Sequence, residues 1–188
     1  WENAFTPALC NRIDRNTGGL VIAAKTAEAL RILNNKIKDR EISKFYLAAV
    51  VGKMSPPQGE LKGFLLKDEA KNQVQVYHRP VPGGKTAVTH YKTLQVKGGL
   101  SLVECELLTG RTHQIRAQFA AAGHPLAGDG KYGRRSDNEK LDRKGQALWS
   151  YKLTFDFPTP AGALEYLKGK TLEVPRESIG FVEEYFGS

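Results

Sequence analysis

The sequence predicts one α+β domain built around a largely antiparallel or mixed sheet. Two observations predict it: predicted strands outnumber predicted helices, and the links between consecutive strands are short, whereas parallel sheets need long helical crossovers. Of the 188 residues, 40% are hydrophobic and 26% are charged, a globular composition that supports one sizeable core. No internal repeat, low-complexity tract or linker divides the chain, so we expect a single domain over residues 1–188.

The N-terminal part of the chain is predicted to alternate between strands and one helix. The apolar run at 20–25 predicts a buried strand. Thr26 can cap a helix whose leucine and isoleucine side chains share one face, with Lys36 on the face toward water. A second apolar run, 44–51, predicts another buried strand, and the proline-containing stretch 52–59 predicts a loop.

The remainder of the chain is predicted to be mostly strand. Three short alternating segments within 74–106 predict strands separated by glycine-containing turns. Thr112 can cap a helix that runs to Ala122, and the basic stretch 131–144 predicts a polar loop. Two or three strands are predicted within 147–174, and an amphipathic helix closes the chain.

The charge of the chain is the first functional indication. Its 28 Lys and Arg residues exceed its 20 Asp and Glu residues, which gives a net charge of +8. Residues 173–188 carry −3, so the first 172 residues carry +11. A basic body of this kind favours a polyanionic partner such as nucleic acid, although many basic proteins bind none.

The composition also argues against several classes of protein. Two cysteines cannot form a disulfide framework, so we expect a cytoplasmic protein in a reducing compartment. No apolar run approaches the roughly 20 residues that cross a bilayer, so we expect no membrane partner. The histidines and cysteines lack metal-ligand spacing and no phosphate-binding glycine loop is present, so we expect neither a metal nor a cofactor. We expect a monomer.

The segment 109–116 breaks a local rule of helix formation. The free N–H groups of a helix N-terminus favour acidic residues, but here Arg111, His113 and Arg116 crowd the predicted first turn. Their charges should cost a few tenths of a kcal/mol each unless an anion is near. Guanidinium, imidazole and helix N–H groups together predict a phosphate or carboxylate site. The alternative is that both arginines are solvated and His113 bonds a neighbour.

The segment 11–20 places a carboxylate between two cations. Asp14 stands between Arg12 and Arg15, and a turn-forming Asn-Thr-Gly-Gly sequence follows. The functional interpretation is a carboxylate that guanidinium groups keep ionised, able to act as a nucleophile or base while a polyanion is steered onto it. The structural alternative is an Asx turn or a helix cap.

Together with two further segments, these motifs resemble the RluA-type family of RNA pseudouridine synthases. Residues 11–20 resemble the family's catalytic motif, H-R-L-D-x-x-T-S-G-L, and residues 44–47 resemble its K-x-Y-L strand. Residues 108–116 match its third motif almost letter for letter, and residues 123–133 continue it as the family does. The resemblance extends to the Leu-x-Val-Pro sequence that ends at Pro175.

The resemblance implies a cofactor-free isomerase that converts uridine within RNA to pseudouridine. It also implies a mixed, mostly antiparallel sheet with flanking helices and an RNA cleft. By motif position, Asp14 is the candidate catalytic aspartate, Arg116 is the arginine paired with it, and Tyr46 stacks on the target base. Arg12 falls where an arginine assists base flipping. The family's usual N-K-P-containing opening strand is not found, so we expect 1–188 to be a catalytic domain that lacks this motif.

The partner implied by the resemblance is RNA, and we expect large-subunit ribosomal RNA. A transfer RNA pseudouridine synthase and an RNA-binding module that has lost its activity are the alternatives. The joint presence of Asp14, Tyr46 and Arg116 argues against the inactive module. The residues expected to contact RNA are Arg12, Arg15, Arg111, His113, Gln114, Lys131, Arg134 and Arg135.

Three features depart from the family's pattern. Asn11 replaces the usual histidine, and Gly18 replaces the usual serine. Residues 148–150, Leu-Trp-Ser, stand where Leu-His-Ala is common. All four candidates for catalysis and base flipping remain, so these departures bear on the substrate and subfamily more than on activity.

Overall fold

The computed structural model describes residues 5–188, and its main feature is one large sheet. The strands are β1 (Ala8–Leu9), β2 (Gly18–Gly19), β3 (Ala23–Ala24), β4 (Ile42–Val51), β5 (Gln58–Asp68), β6 (Gln73–Tyr77), β7 (Lys85–Lys97), β8 (Leu100–Leu107), β9 (Leu148–Phe155) and β10 (Thr171–Glu173). The helices are α1 (Ala27–Lys38), α2 (Gln114–Ala121), α3 (Arg135–Leu141) and α4 (Gly180–Phe186), with short 3₁₀ segments at Gly162–Leu167 and Arg176–Ser178.

The sheet confirms the predicted fold class. Its strand order is β10-β9-β4-β8-β7-β5-β6, and β2 adds to β9. The β2–β9 pair is parallel, and the other pairs are antiparallel. β1 and β3 form a separate two-stranded ribbon. The fold is therefore α+β, with a mixed and mostly antiparallel sheet.

The centre of the sheet is buried on both faces. Along β4, Tyr46, Ala48 and Val50 enter one apolar cluster, which α2 covers with Ile115 and Phe119. The alternate residues of β4 enter a second cluster on the opposite face, which α4 covers. A strand that is buried on both faces favours apolar residues at successive positions, which explains the continuous apolar run that predicts β4.

Most predicted elements are present in the structure. Thr26 caps α1, where its Oγ1 accepts the N–H of Ala29 at 3.1 Å. Strands β4, β6, β7, β8 and β9 and helix α4 occupy predicted segments. The sequence does not predict strand β5, because it contains two glycines and its apolar residues, Leu61 and 64–66, do not alternate along the strand. It forms because β6 and β7 satisfy its backbone on both sides.

The predicted buried strand at 20–25 is wrong. Only Ala23–Ala24 is strand, and Val21 is 42% exposed. The reason lies just before it: Gly18–Gly19 takes the position beside β9, and Gly19 adopts a φ of 112°. The chain turns away from the main sheet just after this glycine. The Leu20 N–H still donates to the Ser150 carbonyl of β9 at 2.8 Å, and the rest of the run pairs with β1.

Two further local expectations are wrong. Lys36 does not face water but is buried, because its Nζ lies 3.1 Å from Glu41 Oε2 and donates to Thr159. Thr112 does not cap α2. The helix begins one residue later than such a cap requires, and His113 occupies the N-cap position in a left-handed conformation.

The predicted polar loop at 131–144 contains a helix, α3. The Arg135 Nε donates to Glu139 Oε1 at 2.7 Å, an i,i+4 pair that supports a short helix. No helix in the described residues is long and apolar enough to cross a membrane. The prediction of one domain over residues 1–188 includes residues 1–4, which lie outside the described part of the chain.

Candidate active site

Asp14 lies on a tight turn that precedes β2. The N–H of Thr17 donates to the carbonyl of Asp14 at 3.0 Å, and Asn16 adopts a φ of 67°, which asparagine tolerates better than most residues. Among residues 5–188, no backbone N–H donates to the Asp14 carboxylate, so it neither caps a helix nor closes an Asx turn. The side chain is 27% exposed and therefore remains accessible to a substrate.

Hydrogen bonds fix the loop that carries Asp14. The buried Gln146 donates from Nε2 to the carbonyl of Arg15 at 2.5 Å and to Oγ1 of Thr17 at 3.0 Å. At the start of the loop, Oδ1 of Asn11 accepts the N–H of Ile22 at 2.8 Å. Asn11, which replaces the family's usual histidine, therefore helps to hold the two ends of this loop together through its hydrogen bond to Ile22.

Two departures from the family's pattern pack against each other. In the parallel β2–β9 pair, Gly18 is opposite Trp149. A Cβ atom added to Gly18 would lie 2.6 Å from Cε3 of Trp149, whereas carbon atoms in contact normally lie about 3.5–4.0 Å apart. The missing side chain at Gly18 therefore accommodates the indole ring, and the two departures form one packing arrangement.

Arg116 lies in the first turn of α2 and its guanidinium contacts two carboxylates. Nε and Nη2 donate to the two carboxylate oxygens of Asp129 at 2.8 and 3.0 Å. Nη1 lies 3.9 Å from Oδ2 of Asp14, which is an ion pair but longer than a hydrogen bond. The pairing of Arg116 with Asp14 that the resemblance implies is therefore present as an ion pair, and the two side chains lie beyond hydrogen-bonding distance.

Asp129 is the functional candidate that sequence reasoning missed. It is fully buried and is the only residue with a formal charge between Arg116 and Lys131. A lone carboxylate in an uncharged segment needs a cation when it is buried, and that signal could have identified it. Burial alone would lower the pKa of Arg116 and raise the pKa of Asp129, but their mutual hydrogen bonds and charges reverse both shifts. Both side chains therefore remain ionised.

Tyr46 lies on β4 between Cys105 of β8 and Ser150 of β9. Burial raises the pKa of its hydroxyl to about 12; a hydrogen bond with Ser150 opposes this shift and the charge of Asp14 adds to it. The phenol is therefore neutral and close to Asp14. The register between β4 and β9 shifts between Phe45 and Tyr46, and such irregularities often redirect side chains next to active sites.

His113 and Tyr132 complete the surroundings of Asp14. His113 adopts a φ of 55°, and its Nδ1 lies 2.7 Å from the hydroxyl of Tyr132. Such strained residues cluster at functional sites. Burial lowers the pKa of His113, which favours the neutral imidazole. The guanidinium carbon of Arg116 lies 5.2 Å from the centre of the Tyr132 ring. The sequence predicts His113 as a site residue, but it does not predict Tyr132.

Gln114 does not lie where it could contact RNA. Its Oε1 accepts the Thr109 hydroxyl at 2.6 Å and the Arg111 N–H at 3.1 Å. Its Nε2 donates to the Val88 carbonyl at 3.0 Å and to Thr89 Oγ1 at 2.8 Å. The side chain is buried and both ends of its amide bond the protein. The prediction that Gln114 contacts RNA is therefore wrong, and its role is to fix α2 to the sheet.

Three other predicted RNA-contacting arginines are more open than Arg116. Arg12 and Arg15 are exposed on the two sides of Asp14. Arg111 is partly buried, and its Nε donates to the carbonyl of Thr86 at 2.9 Å. These three guanidinium groups remain candidates for RNA phosphate contacts.

The other predicted RNA contacts lie at and before α3. The Nζ of Lys131 donates to the carbonyl of Asn72 at 2.6 Å, which links this segment to the β5–β6 turn. Arg134 precedes α3 and is exposed, and the side chain of Arg135 is 92% exposed. None of these three residues forms an ion pair with Asp14 among the described residues.

The structure thus brings five side chains together from distant parts of the chain. In each case the negative charge of Asp14 acts to raise the pKa of the neighbouring group, which is Tyr46, His113, Arg116 or Tyr132. Within the described residues, no group of three or more His, Cys, Asp or Glu side chains could hold a metal ion. The arrangement offers an accessible carboxylate beside a neutral phenol, an imidazole and a fixed guanidinium. A carboxylate placed this way can act as a nucleophile or a base.

Comparison with known proteins assigns this chain to a family. Residues 2–121 match the family model described as RNA pseudouridylate synthase. The chain belongs to the RNA pseudouridylate synthase family. Asp14, Tyr46 and Arg116 all fall inside the part that matches, whereas Asp129 and Tyr132 lie beyond it.

Relatives in this family are similar over most of this chain. An uncharacterized RNA pseudouridine synthase YlyB of Bacillus subtilis is 38% identical over 88% of the chain and 52% of the relative. Ribosomal large subunit pseudouridine synthase D of Nitrosomonas europaea is 36% identical over 78% of the chain and 43% of the relative. The corresponding protein C of Vibrio parahaemolyticus is 38% identical over 68% and 39%. The chain therefore spans about half of these relatives or less.

Solved structures of the family share the fold. Human RNA Pseudouridylate Synthase Domain Containing 1 superposes with a TM-score of 0.71 at 23% identity, covering 95% of this chain and 80% of that one. Human RNA Pseudouridylate Synthase Domain Containing 4 gives a TM-score of 0.74 at 21% identity, covering 96% and 76%. The α+β architecture is therefore that of pseudouridylate synthase domains.

Proposed function

We propose that this chain is the catalytic domain of an enzyme that isomerises uridine to pseudouridine within RNA, with Asp14 as its catalytic carboxylate. The observation that carries the proposal is the position of Asp14, which lies on a braced turn, partly exposed, 3.9 Å from the buried guanidinium of Arg116. Membership of the pseudouridylate synthase family supports the same reaction.

The reaction needs no cofactor, because its atoms balance within the nucleotide. The glycosidic bond between N1 of uracil and C1′ of ribose breaks, and a bond between C5 and C1′ forms. The hydrogen at C5 leaves as a proton, and N1 gains one. A carboxylate can begin this sequence by attacking C1′, by attacking C6 or by removing the proton at C2′, and Asp14 is available for each.

Access to the target base requires that it leaves its stack, which costs a few kcal/mol. We assign Tyr46 to stacking on the flipped base, a contact worth about 1–3 kcal/mol. Arg12, which is exposed two residues before Asp14, is assigned to assisting the flip. The neutral phenol of Tyr46 suits a stacking role, because it adds no charge beside Asp14.

We propose large-subunit ribosomal RNA as the substrate. Two kinds of evidence support this assignment: relatives at 36% and 38% identity are named ribosomal large subunit pseudouridine synthases D and C, and the chain carries a net charge of +8. A basic surface attracts the phosphate backbone of RNA regardless of its sequence, so the charge supports RNA and the relatives' names support the ribosomal kind.

The catalytic assignment is tested by tritium release from RNA that carries uridine labelled at C5. Asp14→Asn and Asp14→Ala should abolish release while RNA binding persists, because the carboxylate is lost but the basic surface is not. Asp39→Asn is the matched control: it makes the same chemical change at the exposed C-cap of α1 and should leave release unchanged. Substantial turnover by Asp14→Ala would contradict the assignment.

The substrate assignment needs a separate comparison. The wild-type protein is incubated with transcripts of large-subunit ribosomal RNA and with a pool of transfer RNA transcripts, and pseudouridine is mapped in both. We expect modification in the ribosomal transcript. Modification confined to transfer RNA would retain the chemistry and overturn the substrate.

A further inference from the structure

The Arg116 guanidinium divides its nitrogen atoms between two carboxylates in a fixed order. Asp129 engages Nε and Nη2 at 2.8 and 3.0 Å. Only Nη1 faces Asp14, at 3.9 Å from its Oδ2. Because the guanidinium is planar and rigid, the two bonds to Asp129 determine where Nη1 points.

Asp129 is itself held in one position by the backbone around it. Its Oδ1 also accepts the N–H groups of Lys131 and Tyr132 at 2.9 and 3.0 Å. Its carbonyl accepts Nδ2 of Asn138 at 2.9 Å. The side chain is completely buried, so solvent does not compete for these bonds and the carboxylate cannot follow Arg116 if that side chain moves.

The loop that carries Asp129 is also fixed to the strands of the site. Two residues before it, Ala127 donates its N–H to the Ala49 carbonyl on β4 and accepts the N–H of Ala147, which precedes β9, both at 2.8 Å. β4 carries Tyr46, and β9 pairs with the strand that follows the Asp14 turn. Asp129 therefore fixes Arg116 relative to the strands that carry Tyr46 and support the Asp14 turn.

The charges explain why this arrangement matters for Asp14. An isolated Asp–Arg pair would be neutral and free to close into two hydrogen bonds, which would occupy both oxygens that a substrate needs. With Asp129 ionised as well, the three side chains carry a net charge of −1, and Arg116 is held back from Asp14. The Asp14 oxygens then remain free for the substrate while a cation stays near.

We propose that Asp129 is a positioning residue of the pseudouridine-forming site, which binds the Nε–Nη2 edge of Arg116 and thereby keeps Asp14 next to a cation without a closed pair. This inference rests on the proposed function. Preorganised groups of this kind need no rearrangement when charge shifts during the reaction. Asp129 acts through Arg116 and does not itself contact the substrate.

The central test is Asp129→Asn, measured by single-turnover pseudouridine formation and by RNA binding. An amide presents one acceptor and one donor, and the donor opposes an N–H of Arg116. Arg116 should then turn toward Asp14. Misplacement by about 1 Å can cost about 100-fold in rate, so we expect the rate to fall about 100-fold while the Kd for RNA changes less than about threefold. A rate within threefold of wild type would overturn the proposal.

A double-mutant comparison separates positioning from a general structural role. If Asp129 acts only through Arg116, then Asp129→Asn should slow the Arg116→Lys variant much less than it slows wild type. A purely structural Asp129 would slow both backgrounds by the same factor, and that result would overturn the proposal. Asp129→Glu, which keeps the charge, should recover part of the rate lost in Asp129→Asn.

Glu41→Gln provides the matched control for lost stability. Like Asp129, Glu41 is a buried carboxylate that pairs with a buried cation, here Lys36 at 3.1 Å, but this pair links the last turn of α1 to the residue before β4. Glu41→Gln should lower the Tm without lowering the rate at a temperature where it is folded. A wild-type protein that forms no pseudouridine on any RNA would refute the proposed function, whereas an active wild type with an equally active Asp129→Asn would refute this inference alone.

Discussion

The packing of Gly18 against Trp149 predicts that Gly18→Ser is destabilising in this chain, although serine is the family's usual residue there. The first side-chain carbon would lie 2.6 Å from Cε3 and Cη2 of the indole. Both atoms belong to the six-membered ring, which histidine lacks. The serine should therefore be tolerated once Trp149 is replaced by the family's usual histidine.

The structure sets the size of the effect. The contact is about 1 Å shorter than the normal separation of carbon atoms, and overpacking of this kind typically costs about 1–3 kcal/mol. For a chain of this length each kcal/mol lowers the Tm by about 2–4 °C. Trp149→His alone should cost about 1–2 kcal/mol of apolar burial. It breaks no hydrogen bond, because Nε1 of Trp149 has no partner among the described residues.

The assay is thermal unfolding of the four proteins of a double-mutant cycle, with tritium release measured alongside. If the clash accounts for the penalty, the double variant should be as stable as Trp149→His, with a coupling energy of about 1–3 kcal/mol. Gly18→Ser should also slow turnover, because β2 follows directly on the Asp14 turn.

Gly180→Ser is the control for the serine substitution itself. A Cβ atom at Gly180 meets no atom within 4 Å, so this variant should stay within about 0.5 kcal/mol of wild type. The reasoning fails if Gly18→Ser is as stable as Gly180→Ser, or if Trp149→His leaves the penalty of Gly18→Ser unchanged.

Three further predictions concern RNA binding, stacking and acid stability. Arg134→Gln with Arg135→Gln should weaken RNA binding and flatten its salt dependence by about 0.7 per lost phosphate contact; an unchanged slope would place the RNA surface elsewhere. Tyr46→Phe should keep RNA affinity within about threefold by fluorescence anisotropy, because the ring face stacks; a tenfold loss would implicate the hydroxyl. Hydrogen bonds from a threonine and a lysine lower the pKa of Glu41 despite its burial. Its contribution to stability is therefore complete above the ordinary glutamate pKa and lost as pH falls through the lowered one, so Glu41→Gln and wild type should converge in Tm at acid pH.

The elements that the sequence predicts well are those whose signals are local. The cap at Thr26 satisfies a backbone N–H three residues away, and the continuous apolar run of β4 reflects burial on both faces. β5 could not be predicted in the same way, because its stability comes from the partners on its two sides. The run at 20–25 is the opposite case: its local signal is strong, but after Leu20, whose N–H bonds Ser150 of β9, the chain leaves the main sheet.

The candidate site divides along a similar line. Motif position was enough to select Asp14, Tyr46 and Arg116, and the structure brings these three residues together. Gln114 belongs to the same motif as Arg116, but its amide bonds only the protein. A motif indicates that its residues are needed together. It does not show which side chain contacts the substrate and which one holds the helix in place.

Asp129 is a residue that pairing charges two at a time does not predict. Motif position pairs Arg116 with one carboxylate, Asp14, and Asp14 does lie near it. However, the two hydrogen bonds that the Arg116 guanidinium donates to a carboxylate both go to Asp129. Arginine has five N–H donors in a fixed plane, so a buried guanidinium with one carboxylate partner has further donors to satisfy. A buried arginine therefore calls for a second acceptor, and a carboxylate in an uncharged segment is a natural candidate. Once Arg116 is known to be buried, its donors therefore require a second acceptor, and Asp129 is a carboxylate of this kind.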